Sequence, residues 1–195
     1  MQVHRAKPFE AAAIAATLAT AFENDPFMAH LIPPEASSRR ARLRAYMSVP
    51  TKFAMAHGAV LTTDRADAAA AWIAPGTTSG ILDTVRAGPR MLRAFAPHLS
   101  RAMATLRTLD SARPQEPHWY LESVGARPET RGQGAGRACL EPILAACDRD
   151  RFPAYLESSS LDNVPYYERY GFKVVKELPL PDNGPTMYLM WRTPN

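Results

Sequence analysis

Six residues, Arg131-Gly132-Gln133-Gly134-Ala135-Gly136, constrain this chain more than any other stretch. A strand-like run precedes them, His118-Trp119-Tyr120-Leu121-Glu122-Ser123-Val124, and a helix-like run follows, Arg137-Ala138-Cys139-Leu140-Glu141. Glycine at every second position lets the main chain pass close to a ligand and take φ values that other residues avoid. Where a helix opens, its free N–H groups and the positive end of its dipole form an anion site. The pattern predicts a strand–loop–helix unit that holds a polyanion such as a pyrophosphate. Its third glycine comes too early for G-x-G-x-x-G, and no Gly-Lys-Ser/Thr follows it. Taken alone, the hexapeptide also reads as a flexible turn.

A second motif lies downstream. The run Pro153-Ala154-Tyr155-Leu156-Glu157-Ser158 reads as a strand. Asp162-Asn163-Val164-Pro165-Tyr166-Tyr167-Glu168-Arg169-Tyr170-Gly171-Phe172 then reads as a short helix, a glycine stop and a new strand. Arg-x-x-Gly-x-Gly resembles the acetyl-CoA pyrophosphate loop of the GNAT superfamily of acyl-CoA N-acyltransferases. The second motif resembles the N…(F/L)YE(K/R)xGF segment that closes the cofactor site there. Order and separation agree as well. Within the superfamily the chain is most similar to the puromycin N-acetyltransferase-like bacterial enzymes, most strongly from about residue 116 onward. Glu116-Pro117-His118-Trp119-Tyr120-Leu121, Val124-Gly125 and Asn163-Val164-Pro165-Tyr166-Tyr167-Glu168-Arg169 carry that likeness.

The resemblance implies an α/β (α+β) fold: a mixed, mostly antiparallel sheet, splayed between strands four and five, with helices on both faces. It implies acetyl-CoA as co-substrate and no metal. The cofactor contacts it implies are Val124, Gly125 and Ala126 along strand four, Arg131, Gly132, Gln133, Gly134, Ala135, Gly136 and Arg137 at the loop, and Asn163 and Tyr167 beyond. Ala126 and Ala135 stand where the family more often has larger residues, and both allow close main-chain approach. The reaction implied is acetyl transfer to an amine, expected to be a small molecule, by direct attack in a ternary complex. Protein or peptide N-acetylation, or a CoA-binding sensor without turnover, remain alternatives.

Acyl transfer to an amine needs a neutral amine, donors for the oxyanion and a proton for the departing thiolate. Tyr167 matches the family's general acid; a phenol with pKa near 10 can protonate a leaving thiolate. Read without the motif it is a core tyrosine. Glu122 and Glu157 are candidate bases, and two carboxylates facing one cleft raise each other's pKa. The other reading of each is a salt bridge or hydrogen bond that braces the splayed strands. His118 at a strand end reads as structural.

Composition sets outer bounds. The 195 residues, 46% of them hydrophobic, suit one globular domain, 1–195. No apolar run reaches a membrane span, and the first residues lack the apolar centre of a signal peptide. Cys139 and Cys147 read as reduced core thiols, and the expected location is cytoplasmic. The net charge is +4, with 19 arginines among 23 basic residues. Arg39, Arg40, Arg42 and Arg44 cluster without interleaved aromatics, so the expectation is a solvated helix face and no nucleic-acid partner.

Periodicity predicts a strand at Val3–Arg5 and a helix from Pro8 to Phe22, broken by Glu23-Asn24-Asp25-Pro26. A helix capped by Ser37 or Ser38 runs to about His57. A hairpin follows at 59–74, although the run Ala68–Ala71 by propensity alone favours helix. Residues 79–112 read as two or three helices, broken near Gly88-Pro89 and at Pro97, with Arg86, Arg90, Arg93, Arg101 and Arg107 mostly outward. Relative to small members of the family this is an insertion. Its expected uses are an acceptor wall, extra packing or a homodimer contact. The loop Phe22–Phe27 is the other expected wall. Pro142 falls inside the helix after the glycine loop and predicts a kink or an adjusted turn there.

Overall fold

The computed structural model describes residues 1–78 and 81–195. The first two residues of the expected insertion, 79 and 80, lie outside them. Seven strands form one sheet in the order β1-β2-β3-β4-β5-β7-β6. They are β1 (Val3–Arg5), β2 (Gly58–Thr63), β3 (Ala68–Ile73), β4 (Trp119–Ala126), β5 (Ala154–Ser158), β6 (Lys173–Pro179) and β7 (Thr186–Arg192). All pairs are antiparallel except β4 with β5.

Helices cover both faces. On one lie α1 (Ala11–Ala21), α2 (Pro26–Leu31), α3 (Arg39–His57), α4 (Ile81–Phe95) and α5 (Leu99–Ala112), sharing a core that includes Ile14, Leu18, Leu43, Phe95 and Leu109. On the other lie α6 (Ala135–Asp150) and α7 (Val164–Glu168), packed through Cys139, Leu140, Ile143 and Val164. The alanine run becomes β3 because both its faces are covered. Ala69 and Ala71 meet the first core, whereas Ala68, Ala70 and Trp72 meet the second. Strands buried on both sides read as continuous apolar runs, and tertiary burial overrides alanine's helix propensity. A fully buried leucine such as Leu18 is worth about 1.5–3 kcal/mol.

The structure refines several local expectations. α4 runs unbroken through Gly88-Pro89. Proline's fixed φ is helical, so only one hydrogen bond is lost, and α4 stays packed on α3. α3 and α6 likewise continue through Pro50 and Pro142. Ser38 occupies the N-cap of α3, but in a left-handed conformation (φ 56°) and with no side-chain cap. Asp25-Pro26 does more than break a helix: Asp25 caps α2, its Oδ1 accepting the Met28 N–H at 2.9 Å. The arginine cluster is not simply solvated. Arg39 donates to the Glu23 carbonyl (2.8 Å), Arg40 pairs with the Glu23 carboxylate (2.9 Å), and Arg42 reaches the carbonyls of Ser37 and Ala96. In α5, Arg101 turns partly inward, with Nε and Nη2 buried.

Candidate active site

The sheet opens where the sequence expects it to. β4 pairs with β5 over only three residues, Trp119↔Ala154, Tyr120↔Tyr155 and Leu121↔Leu156. Beyond Leu121, β4 continues to Ala126 with no partner on that side among the described residues. A β-bulge marks the divergence. On β3 the neighbours Ala71 and Trp72 pair with Ser123 and Leu121, so Glu122 is the extra residue. Leu121, Val124 and Ala126 consequently all pack on the α6 side, a spacing that simple alternation forbids. Gly125 faces α1, where a Cβ would stand 2.6 Å from the Ala21 Cβ, so its lack of a side chain lets α1 approach β4.

A cleft of about 1300 Å³ fills the opening. Residues 20–26, 121–126 and 156–160 line it, with the glycine loop at one end and Asn163, Tyr166 and Tyr167 across from it. At the loop, Gly132 (φ 76°) and Gly134 (φ 81°) take left-handed conformations that only glycine adopts without strain. A Cβ on either would meet nothing within 4 Å, so the space beside them is open to the cleft. Gly134 is the N-cap of α6, and Ala138 is the residue whose N–H first turns back, to the Gly134 carbonyl at 2.9 Å. The preceding helical amides are left for an anion. Arg131 is tied to the Ala21 carbonyl (3.1 Å) and Arg137 to Glu141 (2.6 Å). Gln133 alone of the loop turns away, donating to the Glu129 carbonyl.

Away from the loop, ionisable side chains line the cleft. Glu122 is half-buried on the bulge, and its Oε2 has no hydrogen-bond partner among the described residues. Burial pushes its carboxyl up to about 7; the neighbouring Ser123 hydroxyl lowers it, the Glu157 charge raises it further and Arg113 lowers it. Glu157 is differently placed. Tyr120 donates to its Oε2 (2.9 Å) and Tyr155 to its Oε1 (3.1 Å), while Arg113 lies 3.7 Å from Oε1. Its pKa is raised: burial outweighs the cation and the two phenols, which lower it. Tyr167 lines the cleft with no partner for its hydroxyl among the described residues; burial and then the Asp25 charge raise its pKa.

Asp25 is a cleft residue that periodicity alone does not flag. Besides capping α2, it accepts a short hydrogen bond from Ser159 at the end of β5, joining the loop after α1 to the far wall. Burial raises its pKa. The available signal was Asp before a helix-starting proline. The expected wall at residues 22–26 is present, but no described residue of 81–112 lines the cleft. α4 packs on α3 and α5 on α4 instead, so the described part of the inserted segment does not line the cleft.

Other candidates resolve as structural. His118 donates from Nδ1 to the Glu116 carbonyl (2.6 Å) and packs edge-on against Tyr155 and Trp191. The thiols of Cys139 and Cys147 are buried and unpaired, and burial pushes them up to about 12 and about 11, away from nucleophilic ionisation. No described helix is long and apolar enough to cross a membrane.

Comparison with known proteins agrees with this geometry. The family model for acetyltransferases (GNAT) matches residues 101–172. An uncharacterized N-acetyltransferase of Schizosaccharomyces pombe is 31% identical over 174 residues, 81% of this chain and 68% of its own length. A solved structure described as histone acetyltransferase HPA2 and related acetyltransferase, from Corynebacterium glutamicum, superposes with a TM-score of 0.74 at 26% identity, covering 100% of this chain and 96% of that one. A polyamine N-acetyltransferase of Drosophila melanogaster shares the fold, with a TM-score of 0.66 at 13% identity over 98% of this chain and 99% of its own. With the splayed strands, the glycine loop and these relatives in agreement, the chain belongs to the GNAT family and is an N-acetyltransferase.

Proposed function

We propose that this enzyme transfers an acetyl group from acetyl-CoA to the amine of a small molecule, by direct attack in a ternary complex, within one domain spanning 1–195. The observation that carries the reading is that Glu122 Oε2 and the Tyr167 hydroxyl, neither hydrogen-bonded among the described residues, lie on one cleft that includes the glycine loop.

In this reading the pyrophosphate sits at the loop around Arg131–Gly136, and pantetheine follows the open side of β4 past Val124–Ala126. The open space beside Gly132 and Gly134 fits phosphates that approach main-chain N–H groups. The amine enters beside residues 22–26. Glu122 takes the proton that keeps the amine cationic, and a carboxyl near 7 is matched to that task at neutral pH. The amine nitrogen then bonds to the acyl carbon, the carbon–sulfur bond breaks, and the nitrogen sheds its remaining surplus proton, which restores the Tyr167 phenol once that group has protonated the thiolate. Tyr167 gives its proton to the departing thiolate; burial keeps its phenol protonated through the neutral range. Glu157 braces β5 against β4 through Tyr120 and is not the base.

Thiol release from acetyl-CoA, followed over a panel of aminonucleosides, polyamines, arylalkylamines and N-terminal peptides, tests the proposal. Saturable turnover of a small amine is the expected result. Turnover of peptides only would replace the small-molecule acceptor with a protein one. Tight CoA binding with no turnover on any class would favour a sensor.

A further inference from the structure

Arg113 caps the C-terminal end of α5 and lies outside the cleft, yet it reaches under the acceptor end. Its guanidinium lies over the Tyr120 ring, 4.2 Å from the centroid. Nη2 lies 3.7 Å from Glu157 Oε1, and Nη1 donates to Asp110 Oδ1 at 3.1 Å. The Glu157 side chain is 7% exposed and that of Arg113 30%, so the pair is only partly screened.

We propose that Arg113 is a positioning residue for the transfer reaction: clamped between Tyr120 and Asp110, it holds the Glu157 side chain in place beneath the site and leaves Glu122 as the carboxylate that exchanges a proton with the amine. The inserted helices then serve the site from behind, through the residue that ends them, without forming its wall.

The charges around the pair support this. Tyr46 on α3, Tyr120 on β4, Tyr155 on β5 and Asp110 on α5 face it as acids or phenols, and His118, packed on Tyr155, has its pKa lowered by burial and by the Arg113 charge. Asp25 at the start of α2 acts on Tyr46 and on Tyr167. Arg113 is the cation that lowers both Glu122 and Glu157 against burial. The Glu157 charge raises Glu122 in addition to burial, and a cation beside Glu157 offsets part of both effects. Arginine suits the place because its flat guanidinium stacks on a ring and pairs with a carboxylate at once.

The test reads charge directly. Side-chain carboxyl carbons of 13C-labelled glutamate are titrated by NMR in the full chain, with Glu122→Gln and Glu157→Gln assigning the two signals. Arg113→Gln should raise both midpoints, by at least about half a pH unit. Arg113→Met, which keeps the stem packed on Tyr120, is the second neutral variant and should do the same. Arg113→Lys keeps the charge and should leave them near wild type. A folded neutral variant that titrates like wild type overturns the proposal, as does a Lys variant that titrates like the neutral ones. The inference rests on the proposed base only for its catalytic consequence. The acidic limb of kcat/KM should move up in pH with the midpoints, with the rate at high pH kept within about threefold. Midpoints that move while the limb stays would sink Glu122 as base and leave the charge assignment standing.

Discussion

At the loop end of the cleft the walls are main chain: Gly132 and Gly134 in left-handed conformations and the first amides of α6. Toward the proposed acceptor end they are side chains, Glu122, Glu157, Asp25 and Tyr167, each with its pKa raised chiefly by burial. A main-chain anion site depends on local φ and ψ and changes little with pH. A cluster of buried acids depends on every element packed round it and titrates as a unit. The contrast suits one donor shared by a family and acceptors that vary within it.

The largest expected effect probes the acceptor end alone. Tyr167→Phe removes one hydroxyl and keeps the ring, so kcat should fall by roughly 10²–10⁴-fold, while calorimetry shows CoA affinity unchanged within about twofold. A loss below about threefold, with chemistry rate-limiting, would remove the general acid and blur the division between the two ends.

Next is Glu122→Gln. The carboxyl near 7 must be ionised to accept a proton, so kcat/KM of the wild type should rise through that pH and level off. The Gln variant should lose this limb, with a deficit of roughly 10²-fold at pH 7 that shrinks as alkaline buffer supplies neutral amine. If Glu157→Gln abolishes the limb instead, the braced carboxylate is the base and the roles exchange.

The loop end is tested by Gly134→Val. At φ 81° a non-glycine residue is strained by about 1–2 kcal/mol, and its side chain enters the open space beside the loop. CoA affinity should drop about tenfold or more in calorimetry, with the same loss at pH 6 and pH 8. A loss that varies with pH would show that ionisable groups contribute at this end too.

The smallest effect is on stability. Glu122 has its pKa raised on folding, so the folded chain binds that proton more tightly than the unfolded chain. Its destabilising contribution is absent below about 4.5, grows as pH rises from there to about 7, and is complete above. Glu122→Gln should therefore melt like wild type at pH 4 and a few degrees higher at pH 8, corresponding to about 1 kcal/mol after allowance for partial exposure. Equal melting at both values would mean that the carboxylate is solvated through the cleft and that its pKa is ordinary.

Legibility from sequence divides along the same line. The strand–loop–helix unit at 119–150, the Asn163–Phe172 segment and the splay between β4 and β5 were readable, because glycine spacing, helix stops and family motifs are local. The hairpin through Ala68–Ile73 was readable only by preferring its turn and length to alanine's propensity. The unbroken α4 was missed because a Gly-Pro pair within a helix is decided by the partner it packs on, here α3. The short helix after Asp25-Pro26 was missed although its capping signal was present.

By itself the sequence determined the order of the elements and the place of the glycine loop, since these rest on main-chain geometry dictated by neighbours along the chain, and its motifs carried the resemblance to the family. Only the tertiary structure decided which carboxylate is free. The bulge at Glu122 is a matter of register between β3 and β4, and Glu157 is occupied by Tyr120, Tyr155 and Arg113, which come from three separate elements. Asp25 joins the cleft through Ser159, 134 residues away. A proton's affinity is fixed by burial and by charges in space, and those neighbours are assembled only when the chain folds.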